Sequence, residues 1–377
     1  MTNKHYCALC NALITKKNNS KEHIIPNAIG GKKKILNFIC KECNNKSGNE
    51  WDSDLTEQLS SLCTYFGIKR DRGNVQPHIV TTTAGDKFQL NANASMKIHE
   101  PAYNETKIDD GVEISISART MKEARNMLKG VKGKYPNLDI EELMDNAKVN
   151  TSYCNDMIQL KLSIGGLQAG RSIVKSVLAL AVKSGVNPKS CEHAIEYLIE
   201  EKGNPCFGYY YDKDPLLNRP EGVPLHCVHV KGDKQTKQLL GYIEFFGAFR
   251  IVTCLSSEYN GDEFSNCYAI NPIKGEILDI KINLELTSSD IKAIYNYERY
   301  SFKAVEDAFS KVISFHQKSS AKKEQDRVVH EAVAYAFEHC GAKEGEQLTE
   351  AHRQKIIELT MKKMQQYLIH IAKNIRI

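Results

Sequence analysis

Cys7-Ala-Leu-Cys10 is one of two C-x-x-C pairs in this chain, and Cys40-Lys-Glu-Cys43 is the other. The pairs are separated by 29 residues. A C-x-x-C turn brings two thiolates to one side, and two such turns complete a tetrahedral zinc site with four sulfur ligands. The spacing therefore predicts a structural zinc on these four cysteines, with no ligand position left for water.

The segment between the pairs contains a second pattern, Ser20-Lys-Glu-His-Ile-Ile-Pro-Asn-Ala-Ile-Gly-Gly31. Leu36-Asn37-Phe38 precedes the second pair, and Asn44-Asn45 follows it directly. Residues 21–26 and 36–40 are predicted strands joined by a basic turn, and a helix is predicted from Lys41 onward.

Taken together, these residues resemble the zinc-braced branch of the HNH endonuclease family, over about residues 5–55. That branch has an acidic residue followed by His, then Ile-Ile-Pro, a Gly-Gly turn, an Asn before the second cysteine pair and a His or Asn after it. The resemblance implies a ββα-metal fold, in which a two-stranded ribbon and a helix hold one divalent ion.

The resemblance also implies a role for each matched residue. His23 is the general base, Asn37 orients that histidine, and Glu22 and Asn44 bind Mg²⁺ or Mn²⁺; Asn45 remains an alternative to Asn44. The chemistry is consistent with phosphodiester hydrolysis, because oxygen ligands suit hard ions and an imidazole accepts a proton near neutral pH. Glu22 stands where Asp is more usual, and the final position is Asn rather than His.

Positive charge is concentrated at the start of the chain. The net charge is +5, and residues 1–50 contain nine lysines against three glutamates. A phosphate-binding surface has this charge, although a solvated lysine-rich face would look the same. The predicted nucleic-acid contacts are Lys32, Lys33, Lys34, Lys41 and Lys46.

The length of 377 residues predicts more than one domain, and 41% hydrophobic residues are enough for a sizeable core. The predicted fold class is α+β, with a nuclease module at 1–66, an α+β region at 78–286 and a helical region at 287–377. Residues 67–77 are rich in turn formers and are predicted to be a linker. Within 78–286, a strongly apolar helix is predicted over about 167–184 and a β-rich stretch over 225–282.

Two residues after the second cysteine pair receive structural predictions. Asp52 is expected to be a solvated charge; the alternative is that it supports the ligands of the divalent ion without binding the ion itself. Trp51, the only tryptophan, is expected to pack the nuclease module onto the region that follows.

The sequence therefore predicts a cytoplasmic DNA endonuclease, with double-stranded DNA favoured. No apolar run reaches the roughly 18–20 residues of a membrane span. Two alternatives remain, a zinc-knuckle protein that binds nucleic acid without cutting it, and an effector that cuts RNA.

The region after residue 77 is expected to select the target, sense a ligand or partner, or dimerise. A homodimer, or an activating ligand or protein, would use the C-terminal part. Bacterial or phage defence, restriction and mobile elements are the expected settings.

Overall fold

The computed structural model describes residues 4–109, 111–148, 151–154, 156–160, 162–200 and 203–374. The chain forms two compact units, each assembled from separate segments. Unit one comprises Met1–His78, Asn91–Ser95 and Lys161–His316, and unit two comprises Ile79–Leu90, Met96–Leu160 and Gln317–Ile377. These boundaries differ from the three domains predicted from the sequence, at residues 1–66, 78–286 and 287–377. That three-part division stays a prediction. The predicted domains also include residues that lie outside the described ranges, such as 1–3 and 375–377.

The first part of unit one is a short hairpin followed by helices. Its elements are β1 (Glu22–His23), β2 (Lys34–Ile35), α1 (Lys41–Ser47), a π-helical turn (Gly48–Asp52), α2 (Ser53–Gln58) and α3 (Ser60–Phe66). Strands β1 and β2 are antiparallel, with His23 opposite Lys34. The strand predicted over 36–40 is wrong, because pairing ends at Ile35 and the backbone of Asn37 turns left-handed with φ 61°.

Unit two begins with a four-stranded sheet and a separate two-stranded ribbon. Its elements up to residue 160 are β3 (His78–Thr82), β4 (Lys87–Leu90), β5 (Met96–Ile98), β6 (Ala102–Ile108), β7 (Gly111–Ser117), α4 (Met121–Lys134), α5 (Ile140–Asp145) and β8 (Ile158–Gln159). The sheet has the order β5-β4-β3-β8, and β6 pairs with β7. The side chains of Thr120 and Asp139 accept backbone N–H groups and so cap α4 and α5.

The core of unit one is an antiparallel sheet with a buried helix across it. Its elements are α6 (Gly166–Lys183), α7 (Glu192–Ile199), β9 (Phe207–Tyr209), β10 (His226–Asp233), β11 (Gln238–Phe245), β12 (Phe249–Ser256), β13 (Phe264–Asn271), β14 (Glu276–Leu278) and α8 (Ser288–Tyr295). The order is β14-β13-β10-β11-β12-β9, and α6 packs on the four central strands. The predicted apolar helix and β-rich stretch are both confirmed.

The C-terminal region is helical, as the sequence predicts. It consists of α9 (Phe302–His339) and α10 (Glu350–Asn374), and residues 302–316 of α9 belong to unit one. No helix in the described part of the chain combines the length and the hydropathy needed to cross a membrane.

Candidate active site and zinc centre

The cysteines of the two C-x-x-C pairs converge at one point. The Sγ atoms of Cys7, Cys10, Cys40 and Cys43 all lie within 4.8 Å of one another, and all four are free thiols. A tetrahedral zinc with Zn–S distances of about 2.3 Å separates its sulfurs by about 3.8 Å. The Sγ atoms of Cys10 and Cys40 are 3.8 Å apart. This geometry fits a structural zinc.

The electrostatics of the cluster support the same ion. Burial, followed by the neighbouring thiols, raises the pKa of the Cys43 thiol well above its usual range. Four thiolates in such a volume therefore need a cation to balance them. Cys40 is also the N-cap of α1, and its N–H lies 3.3 Å from Cys7 Sγ. Zinc would thus join the N-terminal turn to the start of this helix.

His23 presents an imidazole nitrogen that is buried without a protein hydrogen bond. Among the described residues, its Nε2 has no hydrogen-bond partner, and the nearest carboxylate oxygen, Asp71 Oδ2, is 3.6 Å away. Burial and then the Lys34 ammonium lower the pKa of His23, whereas Asp71 opposes this shift. The imidazole is therefore neutral at pH 7 and ready to accept a proton.

Asp71 brings the segment predicted as a linker into this site. Its backbone N–H donates to Asn27 Oδ1 at 2.8 Å, and its carboxylate accepts from Lys34 Nζ at 3.0 Å. The bond from Lys34 is the main reason why the pKa of Asp71 is lowered. An anion thus lies between the imidazole of His23 and an ammonium. Residues 67–77 are more than the linker that the sequence predicts.

Glu22, the neighbour of His23, is bonded to a lysine from α6. Its side chain is buried, and its Oε1 lies 2.5 Å from Lys175 Nζ. Lys175 is only 1% exposed. Burial opposes the charge of this lysine, but the carboxylates of Asp52 and Glu22 more than offset that cost and raise its pKa. Lys175 is therefore an ammonium held inside the protein.

Asp52, which is half-buried, completes this cluster. Its Oδ2 lies 2.6 Å from Lys175 Nζ, and its Oδ1 accepts the hydroxyl of Ser172 at 2.5 Å. The expectation that Asp52 is a solvated charge is wrong, because α6 packs against the turn that carries it. The packing predicted for Trp51 is confirmed, since its buried ring lies 5.7 Å from the Arg171 guanidinium of the same helix.

Of the predicted ligands of the divalent ion, Glu22 is the one whose contacts in this arrangement disfavour that ion. Asn44 is half-buried and Asn45 is exposed on α1. Glu22, however, already has an ammonium on Oε1 at hydrogen-bond distance. A Mg²⁺ ion would need to approach such an oxygen to about 2.1 Å, where the two cations would repel each other.

Asn37 is engaged with another asparagine. Its Oδ1 accepts from Asn19 Nδ2 at 2.6 Å, and its backbone N–H donates to Asn19 Oδ1 at 3.0 Å. This reciprocal pair holds the left-handed turn after β2. Among the described residues, the bonds of Asn37 go to Asn19 rather than to His23.

The basic turn is partly used to attach the hairpin to the six-stranded sheet. The backbone N–H groups of Lys32 and Lys33 both donate to the Tyr268 hydroxyl, at 3.0 and 3.1 Å. Lys32 Nζ donates to Gly275 O, and Lys33 Nζ lies over the Tyr268 ring. Lys32 and Lys33 therefore have protein partners. Lys34 points into the candidate site, and Lys41 and Lys46 are exposed on α1.

A basic groove of about 450 Å³ runs beside β2. Its polar lining comes from His5, Lys21, Lys34, Asn37 and Lys183. Lys183, at the end of α6, also donates to the backbone oxygen of Lys34 at 3.2 Å. The sequence prediction missed Lys21 and Lys183. The excess of lysine before residue 50 is a signal for Lys21, but no local pattern connects Lys183 with the hairpin.

The site is thus a short hairpin and helix with a four-cysteine centre, a half-buried neutral histidine and a basic groove. Residues 7–60 match the sequence model of a family described as HNH endonuclease. The family resemblance of this segment is confirmed, and it supports nuclease chemistry and a nucleic-acid substrate at the level of the domain. No curated protein and no solved structure matches the chain.

Proposed function

We propose that this protein is an endonuclease that hydrolyses phosphodiester bonds in DNA, with His23 as the general base. The observation that carries the proposal is that the His23 imidazole and the Lys34 ammonium both face one carboxylate, that of Asp71. A base and a cation that face one anion position are what attack on a phosphate needs, because the base activates water and the cation offsets the charge of the phosphate. The family match over residues 7–60 supports the same chemistry.

In the proposed reaction, a scissile phosphate takes the position of the Asp71 carboxylate beside Lys34. The neutral Nε2 of His23 removes a proton from water while the water oxygen attacks phosphorus. The phosphorus–oxygen bond to the leaving group then breaks, and the leaving oxygen takes a proton from solvent water. Lys34 offsets charge on the phosphate, and Lys21 and Lys183 in the basic groove contact neighbouring phosphates.

The family resemblance adds a ββα-metal arrangement with Mg²⁺ or Mn²⁺ held by Glu22 and Asn44. Such an ion would stabilise charge that develops on the phosphate. The ammonium of Lys175 already bonds to Oε1 of the Glu22 carboxylate. The proposed steps therefore use only side chains of the protein and no divalent ion. Whether cleavage depends on a divalent ion is decided by the assay below.

The proposed substrate is double-stranded DNA, and the proposed setting is restriction, defence against foreign DNA or a mobile element. The setting comes from association with the family. A homodimer, or an activating ligand or protein bound through the C-terminal part, stays a prediction.

Zinc-loaded full-length protein should cut supercoiled plasmid to nicked and then linear forms. The assay compares buffers with Mg²⁺, with Mn²⁺ and without added divalent ions, and a structured RNA is tested in parallel. Cleavage of RNA alone would favour an RNA-cutting effector. Binding of DNA without cleavage of either substrate would favour the zinc-knuckle alternative and contradict the proposed enzyme.

The pH dependence of cleavage should respond to the two charged neighbours of His23. Because Lys34 lowers the pKa of His23, Lys34→Ala should move the acid limb of kcat/KM to higher pH. Because Asp71 raises that pKa, Asp71→Asn should move the limb to lower pH. The exposed Lys16→Ala is the control and should leave the midpoint unchanged. Shifts of the two variants in the same direction would contradict His23 as the titrating base.

A further inference from the structure

We infer that the ammonium of Lys175 is the built-in cation of this site, and that Glu22 does not bind a divalent ion in this protein. The inference rests on the proposed function only in taking Glu22 as the family's metal-ligand position. The contacts that support it are independent of any cleavage.

The first support is the number and direction of bonds at Lys175 Nζ. Glu22 Oε1 lies at 2.5 Å and Asp52 Oδ2 at 2.6 Å, with Ser47 Oγ more distant at 3.5 Å. The nitrogen thus has oxygen neighbours from β1, from α1 and from the turn after it. Oxygens from several elements around one position are what a protein provides for a small cation.

The second support is the balance of charge. Glu22 and Asp52 place two carboxylates on one ammonium, that of Lys175; Glu22 and Lys175 are buried, and the Asp52 side chain is 18% exposed. A divalent ion would balance both carboxylates if the lysine were absent. With the lysine present, the same ion would leave excess positive charge inside the protein, which burial strongly disfavours.

The third support is the rigidity with which α6 holds the lysine. The residues around it on α6, Ile173, Val174 and Val177, are completely buried. Nearby, Asp54 accepts the backbone N–H of Ala169 at 2.9 Å, which fixes the same helix to α2. Lys175 is therefore itself buried on a helix that the surrounding core and α2 hold in place.

The inference is tested by binding of Mn²⁺ alone to the zinc-loaded full chain, followed by electron paramagnetic resonance. Wild type and Glu22→Gln should take up the same amount of Mn²⁺. Lys175→Ala removes the ammonium and leaves two carboxylates, so it should gain one Mn²⁺ per chain. The double variant Lys175→Ala with Glu22→Gln should lose that gained site.

Zinc content and Trp51 fluorescence establish that each variant is folded. A Mn²⁺ site in wild type that disappears in Glu22→Gln would overturn the inference, as would a folded Lys175→Ala that gains no site. If Lys175→Ala does not fold, the inference is decided by whether wild type and Glu22→Gln take up the same amount of Mn²⁺. Because no cleavage is measured, this result is separate from success or failure of the proposed nuclease.

Discussion

Replacing His23 with Ala should reduce plasmid cleavage by about 10²–10⁴-fold, the usual contribution of a general base. The reason is that Nε2 of His23 is buried, has no hydrogen-bond partner among the described residues and is kept neutral by its surroundings. Removing the ring leaves water without a proton acceptor, while Lys34 and the basic groove still bind phosphate. The loss should therefore appear in kcat and much less in KM.

The control for this variant is His330→Ala, which removes an exposed imidazole on α9 in unit two, where the proposed site has no residue. It should keep kcat within a few-fold of wild type. Unchanged zinc content and Trp51 fluorescence exclude unfolding as the cause of any loss. A folded His23→Ala that cleaves at the wild-type rate would show that another group is the base.

The zinc site could be predicted from sequence because each pair of its ligands is local. Residues three apart in a C-x-x-C turn necessarily lie together, so only the meeting of the two turns depends on the fold. The matched pattern around His23 likewise lies within one short segment. The length of the strands was not predictable in the same way, because Asn37 ends the pairing through a contact with Asn19, 18 residues away.

The partners of Glu22 and Asp52 could not be predicted, because Lys175 is 153 residues from Glu22 in the chain. One signal existed in the sequence. Lys175 is a single charge within the apolar run Ile173–Val182, and a lysine on a buried helix is almost always paired. That pattern predicts a buried acidic partner but does not identify which carboxylate supplies it.

The place of Asp71 beside His23 and Lys34 could not be predicted from the sequence for a related reason. Its neighbours Arg70, Arg72 and Gly73 are typical of a turn, and turn-forming residues say nothing about what the turn covers. The backbone bond from Lys69 to Pro272 O at 2.8 Å attaches this segment to the end of β13. The location of Asp71 thus depends on contacts with a sheet 200 residues later in the chain.

Loss of zinc should unfold the N-terminal module, and this is the second large effect that we predict. Structural zinc in small modules contributes about 10–16 kcal/mol, as much as the about 5–15 kcal/mol that stabilises a whole domain. The hairpin has only two residues in each strand, so backbone pairing cannot replace the ion. Cys40→Ser should lose zinc and cleavage together, because it removes a ligand at the N-cap of α1.

Trp51 makes this unfolding measurable, since it is the only tryptophan and is 5% exposed. Its emission should shift to longer wavelength in Cys40→Ser, and in wild type after treatment with a zinc chelator. Added Zn²⁺ should reverse the shift in wild type but not in the variant. Cys154→Ser, which changes a cysteine of unit two, should keep its zinc and its emission. A zinc-free wild type with unshifted emission and full cleavage would mean that packing against the sheet, through contacts such as His226 to Ile29 O at 2.8 Å, holds the module without the metal.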